Sequence, residues 1–178
     1  MSLLELLCAV LILLLVTLGM TTGIRLGVDR FAKSMRISEA KILYSTISTV
    51  MAGELRYTAD VTVDAAGNVV DFQAVNFGKK QYAQSPPCRN FYSMEEDGTP
   101  TESYGEIGYG TETSAEDMER ILGSAAYNYG LTAKVDRISY DDSKGIFTVG
   151  LSIGYKGESY LSQEFQVLNI GAVKAKVR

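Results

Sequence analysis

The stretch LLCAVLILLLVTLGMTTGI, from Leu6 to Ile24, lies between Glu5 and Arg25 and carries no charge over nineteen residues. At about 1.5 Å per residue, a helix of this length spans about 28 Å, close to the thickness of the hydrocarbon core of a bilayer. A cleaved secretory signal is the alternative, but it needs a basic segment before the apolar run and a small-residue cleavage site after it. Neither pattern is present, so the stretch predicts a membrane-spanning helix.

The helical pattern continues beyond Ile24 without proline and predicts one helix over residues 2–56. At about 100° per residue, the apolar residues of its second half form two stripes, about 100–130° apart. The outer stripe consists of Val28, Phe31, Met35 and Ile42, and the inner stripe of Ala40, Leu43, Ile47, Val50 and Met51. The inner stripe is nearer the rest of the chain, so we expect it to pack there and to leave the outer stripe for another partner.

After Tyr57 the apolar residues alternate with a period of two, which is typical of strands. Residues 59–64 and 69–75 predict a hairpin, and residues 131–140, 146–155 and 159–169 predict an antiparallel meander. Between them, residues 78–113 predict a long excursion with short strands near Gln81 and over residues 104–109. A capping box at Thr113 or Ser114 predicts a short helix through Met118, Ile121 and Leu122.

These elements predict an α+β fold, in which a long N-terminal helix packs on an antiparallel β-sheet. We expect three regions: a hydrophobic helix over residues 1–25, its amphipathic continuation over residues 26–57, and a globular β domain over residues 58–178, called the head below.

Composition excludes several classes of function. The chain has 178 residues, no histidine and a net charge of −4. Without histidine it cannot hold a Ser-His or Cys-His nucleophile or a His-ligated zinc ion, and its negative charge argues against a nucleic-acid partner. Cys8 lies in the apolar run and Cys88 in a polar loop, so no disulfide framework is expected. We expect no catalytic residue, cofactor or metal site, and hence not an enzyme.

The first residues, Met1-Ser2-Leu3-Leu4-Glu5, followed by the apolar run, resemble the mature N-terminus of type IV pilins and pseudopilins. The resemblance implies that a prepilin peptidase removes a leader, that Met1 is N-methylated, and that Glu5 occupies the position of the family's glutamate. It also implies a pilin-like fold. Two features depart from the family: Thr22 stands where a proline is frequent, and no cysteines are available for a disulfide loop near the C-terminus.

The resemblance further implies a subunit of a type IV pilus-like filament, whose partners are copies of itself, an assembly platform and motor proteins. It would lie in the cytoplasmic membrane before assembly and in an extracellular filament afterwards. Two alternatives stay open: a pseudopilin of a secretion system, and a surface binding protein that stays anchored in the membrane. The acidic turn at residues 95–98 is expected to be a solvated loop, although some pseudopilins bind calcium with such a loop.

A carboxylate near the start of an apolar helix is costly in hydrocarbon and is usually retained for a partner or a function. For Glu5 the nearest cation is the free amine of Met1, either its own or that of a neighbouring copy. We expect a neighbour's amine to set the axial register between copies. A glutamate that simply lies at the membrane boundary is the alternative.

Gly19, Gly23 and Gly27 are four residues apart and share one face of the helix. Such a face allows close approach of helices in membranes, whereas each glycine also weakens the helix by about 1 kcal/mol relative to alanine. A packing face and an unwound segment both remain open. The residues expected to act in assembly are Glu5, Gly19, Gly23, Gly27 and the outer stripe.

Overall fold

A computed structural model describes residues 3–74, 89–111, 118–171 and 174–177. The strand predicted near Gln81 and the capping residues Thr113 and Ser114 lie outside these ranges, as do Met1 and Cys88. The described elements are α1 (Leu3–Arg56), β1 (Thr58–Val63), β2 (Val69–Ala74), β3 (Asn90–Met94), β4 (Pro100–Thr101), β5 (Glu106–Gly110), β6 (Glu119–Arg120), β7 (Leu131–Asp141), β8 (Ile146–Tyr155), β9 (Glu158–Leu168) and β10 (Lys176–Val177). Two short 3₁₀ turns, Ser124–Ala126 and Asn128–Gly130, precede β7.

The chain divides into two compact units, the first ending at Ser38 and the second beginning at Glu39. The first unit is helical wherever it is described. The second contains the remainder of α1 and all the described strands. Its boundary therefore falls within the region 26–57 that the sequence assigns to the amphipathic continuation of the helix.

Among the described residues, the strands form three small sheets, with orders β10–β1–β2, β4–β3–β5–β6 and β7–β8–β9. Their pairs are antiparallel except for β1 and β10, which run parallel where Thr62 faces Lys176. Isolated bridges link one sheet to the next, for example between Phe72 and Arg89 and between Gly105 and Ala133. The long N-terminal helix and the antiparallel sheets confirm the α+β class.

The turn of the β1–β2 hairpin is stabilised by hydrogen bonds among its own residues. The Asp64 carboxylate accepts hydrogen bonds from the backbone N–H groups of Ala66 and Asn68, both at 2.8 Å, and from the Asn68 side chain at 2.9 Å. The bonds from Asn68 lower the pKa of Asp64 because they stabilise its charged form. Gly67 adopts a φ of +83°, which a residue with a Cβ rarely adopts.

The hydrophobic core lies between the second half of α1 and the sheets. From the helix it receives Ala40, Leu43, Ile47, Met51 and Leu55, spaced by three or four residues as one helix face requires. From the strands it receives the inward-facing members of each alternating pattern, above all Phe72, Phe91, Tyr109, Phe147, Val149, Leu151 and Ile153. The ring of Phe72 lies 5.4 Å from those of both Phe91 and Tyr109, so one aromatic cluster joins two of the sheets.

The C-terminal end of α1 is held by residues that follow β9. The last carbonyls of a helix have no partner within it and must find one elsewhere. The backbone N–H of Ile170 donates to the carbonyl of Arg56 at 3.0 Å. The buried side chain of Asn169 donates to the carbonyl of Thr58 at 3.2 Å and to that of Leu55 at 3.5 Å. The chain end thus fixes the point at which the helix turns into β1.

Three sequence expectations need correction. The short helix expected through Met118, Ile121 and Leu122 is wrong, because Glu119 and Arg120 form β6 and pair with Tyr109 and Gly108. Pairing with a neighbouring strand outweighs the local preference of a short segment. The sequence pattern also missed β3 and the parallel strand β10, and the single expected sheet is divided into three.

Candidate functional site

The apolar run of α1 is exposed along its whole length. The side chains from Leu6 to Ile24 are exposed wherever the structure describes them. α1 is long and apolar enough to cross a membrane, by length and composition alone. Exposed apolar surface of this extent marks a contact with lipid or with another protein.

Hydroxyl groups in this run are satisfied within the helix. Thr17 donates to the carbonyl of Leu13 at 2.6 Å, Thr21 to that of Thr17 at 3.0 Å, and Thr22 to that of Leu18 at 2.9 Å. A hydroxyl bonded back to its own helix adds no unpaired polar group to an apolar environment. The three threonines are therefore compatible with burial in lipid or between helices.

The structure describes the predicted glycine positions of α1 but not the side chain of Glu5. Glu5 lies within α1, and its side chain, like Met1, lies outside the described part of the structure. Gly19, Gly23 and Gly27 are helical, and a Cβ built on any of them would meet nothing within 4 Å. The single chain therefore imposes no steric need for glycine there. The free thiol of Cys8 is also exposed.

The two stripes of α1 differ sharply in burial. In the outer stripe, Val28, Phe31 and Ile42 are 61%, 68% and 57% exposed, whereas Met35 is half-buried. In the inner stripe, Ile47 is fully buried and Ala40, Leu43 and Met51 are nearly so. Val50 is only half-buried and does not belong to the core, and Leu55 takes its place at the next helical turn. The spacing of four from Met51 could have identified Leu55 in the sequence.

A concave region of the described head lies beside the turn between β3 and β4. It is a cavity of about 380 Å³, whose walls include Met94, Tyr104 and Glu106. Glu106 is held by Arg120, whose Nε lies 2.7 Å from Oε2. Tyr127 accepts a hydrogen bond from the backbone N–H of Ile107 at 2.8 Å, and burial raises the pKa of Tyr127 to about 12. The ring therefore stays neutral and serves as a wall of the cavity.

The acidic turn at residues 95–98 is an ordinary hairpin turn stabilised by its own groups. The side chain of Asp97 accepts hydrogen bonds from the backbone and hydroxyl of Thr99, at 2.9 and 2.6 Å, which lower the pKa of Asp97. Within the described ranges, no three ligating side chains lie close enough together to hold a metal ion. The side chains of Glu95, Glu96 and Asp97 are exposed in this turn.

One acidic group of the second unit is poorly accommodated. An oxygen of the Glu54 carboxylate is buried and has no hydrogen-bond partner among the described residues. Burial raises the pKa of Glu54 because a carboxylate loses hydration there. No nearby cation is paired with it in the described part of the chain.

Comparison with known proteins gives no match, so the function is inferred from the residues of this chain alone. No protein-family model matches the chain, and no curated protein or solved structure matches it either.

Proposed function

We propose that the chain is a structural subunit of a type IV pilus-like extracellular filament, with a pilin-like fold. Residues 3–24 anchor it in the cytoplasmic membrane before assembly, and the same helix forms the filament core afterwards. Its partners are copies of itself, a prepilin peptidase, and the platform and motor proteins that drive assembly. It performs no chemistry of its own.

The observation that carries the proposal is the extent of exposed apolar surface on α1. About 20 residues suffice to cross a bilayer, and the apolar run already provides them. Exposed apolar side chains nevertheless continue to Ile42, about 27 Å farther along the helix axis at 1.5 Å per residue. Lipid cannot cover a surface so far beyond the span of an upright helix, so it needs a protein partner. A permanent anchor needs no such surface.

Electron microscopy of sheared surface material, with mass spectrometry of the N-terminal peptide, tests the proposal. We expect filaments of this chain whose first residue is an N-methylated Met1. Particles confined to the cell envelope would instead indicate a short secretion pseudopilus. A chain that remains monomeric in the membrane would indicate a surface binding protein.

The side of the membrane on which the head lies gives an independent test. Arg25, Arg30 and Lys33 follow the span closely, and basic residues more often flank a span on its cytoplasmic side. The proposal requires the opposite orientation. A protease added outside spheroplasts should therefore digest the head, and a protected head would overturn the proposal.

Glu5 is expected to act in assembly and not in membrane insertion. Glu5→Gln removes the charge and keeps the shape, so the attraction to a neighbour's Met1 amine is lost while insertion becomes neutral or easier. We expect a processed, membrane-embedded protein whose filament yield falls at least about tenfold. Glu158→Gln, at the exposed first position of β9 in the head, is the matched control. Normal assembly of Glu5→Gln as the sole subunit would remove Glu5 from the assembly surface.

A further inference from the structure

Charge is distributed unevenly along the chain. Residues 25–42 contain five basic and two acidic residues, a net charge of +3. The head, residues 58–178, contains eleven basic and seventeen acidic residues, a net charge of −6. Each copy therefore carries a positive helix segment and a negative domain, and electrostatic attraction between copies is possible only between unlike parts.

Residues 25–42 are called the basic helix segment below. Arg25, Arg30, Lys33 and Lys41 are exposed, and none has an ion pair with another described residue. The exposed side chains of the outer stripe lie on the same segment. Its partner must therefore be both acidic and able to cover apolar side chains.

Anionic lipid can satisfy only the beginning of this segment. Arg25 directly follows the span, whereas Lys33 lies about 12 Å and Lys41 about 24 Å farther along an upright helix. The Debye length at physiological salt is about 8 Å, so a charged membrane surface scarcely reaches the later residues. A second basic helix segment is excluded as the partner because two segments of +3 repel. The head of a second copy meets both requirements.

Most acidic side chains of the described head already have partners within it. These pairs are Asp60 with Lys176, Asp64 with Asn68, Asp97 with Thr99, Glu106 with Arg120, Asp136 with Ser152, Asp141 with Lys144 and Glu164 with Arg137. In contrast, the side chains of Glu95, Glu96 and Glu102 are exposed and bond to no other described residue. They lie in and next to the turn that joins β3 to β4, here called the acidic hairpin.

The acidic hairpin also adjoins a surface that can receive apolar groups. Glu95 and Glu96 line the cavity of about 380 Å³, together with Met94, Tyr104 and Tyr127. The partly exposed rings of Tyr104 and Tyr127 can accept both an apolar side chain and the stem of an arginine or lysine. Unpaired acidic groups and apolar walls thus occur side by side, which matches the composition of the basic helix segment.

We propose that the basic helix segment of one copy docks on the acidic hairpin of a second copy. The inference rests on the proposed function, because it names the head surface that covers the outer stripe in the filament. It also assigns a direction to the contact, from the helix of one copy to the head of the next, which produces a heterologous chain of subunits and not a closed pair.

Cross-linking between isotopically distinct copies tests the contact directly. Full-length copies with natural and ¹⁵N-labelled nitrogen are mixed equally in phosphatidylcholine vesicles and treated with a carbodiimide, which joins an amine to a carboxylate in contact with it. We expect mixed-isotope peptides that join Lys33 or Lys41 to Glu95, Glu96 or Glu102. Single-isotope peptides alone, or links only to Asp142 in the turn at the far end of β7 and β8, would overturn the proposal. Loss of the links on addition of phosphatidylglycerol would identify anionic lipid as the occupant instead.

Charge reversal in the full chain provides the second test, with filament yield as the readout. Glu95→Lys with Glu96→Lys should lower the yield about tenfold, as should Arg30→Glu with Lys33→Glu, because attractions become repulsions. Combining all four changes should restore it to within about threefold. Asp142→Lys is the matched control, because Asp142 is exposed in the turn between β7 and β8, at the opposite end of these strands from Thr132 and the cavity. It should have no effect.

The outcomes separate the two proposals. Unchanged filaments in both double variants would overturn the docking contact and leave the filament function standing. Absence of filaments from the unaltered chain, together with the mixed-isotope links, would overturn the filament function and leave the contact between copies standing.

Discussion

The two halves of α1 have the same backbone conformation and opposite surroundings. Residues 3–31 expose nearly every apolar side chain, whereas residues 40–55 bury one face completely in the head core. Both halves are helical, so helix formation by itself does not explain the difference. What differs is whether the same chain supplies a partner for the apolar face. An apolar face without a partner in its own chain is typical of a surface that contacts lipid or another protein.

The largest expected effect comes from placing one charge in each half. Ile47→Asp puts a carboxylate into the dry core and should lower the free energy of unfolding of the head by about 4 kcal/mol. Phe31→Asp, at an exposed position, should change it by less than about 0.5 kcal/mol and should abolish filaments. Thermal unfolding of the full chain in detergent micelles, followed by tyrosine circular dichroism, measures both. Equal losses would mean that the two halves do not differ as described.

Glycines provide a second contrast, within the second compact unit. A Cβ on Gly105 would lie 2.1 Å from the backbone oxygen of Met94, a clash that no side-chain movement can relieve. Gly105→Ala should therefore cost about 2–4 kcal/mol of stability. Gly53→Ala, in α1 with open space around it, should instead add up to about 1 kcal/mol. Chemical denaturation of the full chain measures both changes, and a neutral Gly105→Ala would show that the strands can separate there.

A third change tests the glycines of the apolar run. In the single chain, Gly23→Ala meets open space and should strengthen the helix by about 1 kcal/mol. Slower amide hydrogen exchange over residues 19–27 in micelles would show this gain. We expect filament yield to fall severalfold even so, because neighbouring helices would lose a close approach or an unwound segment. Normal filaments would assign these glycines no role in assembly.

The smallest effect concerns Glu54, where burial raises the pKa of the carboxyl group. A raised pKa in the folded state means that the protonated form stabilises the head. This stability is complete below the unfolded pKa and is lost as pH rises through the folded pKa. Glu54→Gln should therefore increase stability at pH 7 by no more than about 1 kcal/mol, since the side chain is only partly buried.

The pH dependence above about pH 4.5, the ordinary pKa of a glutamate, should be flatter in Glu54→Gln. The lowered pKa values of Asp64, Asp97 and Asp141 act below this range and do not interfere. A stability curve identical to that of the unaltered chain would show that Glu54 is hydrated in solution.

Several elements could be predicted from local pattern because each has a strong local cause. The limits of α1 follow from a proline-free helical pattern, and the β1–β2 turn follows from Asp64, Gly67 and Asn68, whose bonds are confined to the turn. The long strands β7, β8 and β9, of ten or eleven residues each, were confirmed. The two-residue strand β6 has no such signal, since only its pairing with β5 makes it a strand.

The sequence by itself determined that α1 carries two apolar stripes, because helical periodicity places side chains on faces whatever surrounds them. It also determined the absence of histidine chemistry and the charge contrast between residues 25–42 and the head. Only the tertiary structure decided which positions are covered: Leu55 entered the core while Val50 stayed at its edge. It also decided that the side chains of Glu95, Glu96 and Glu102 bond to no other described residue, because pairing depends on side chains that distant strands bring together.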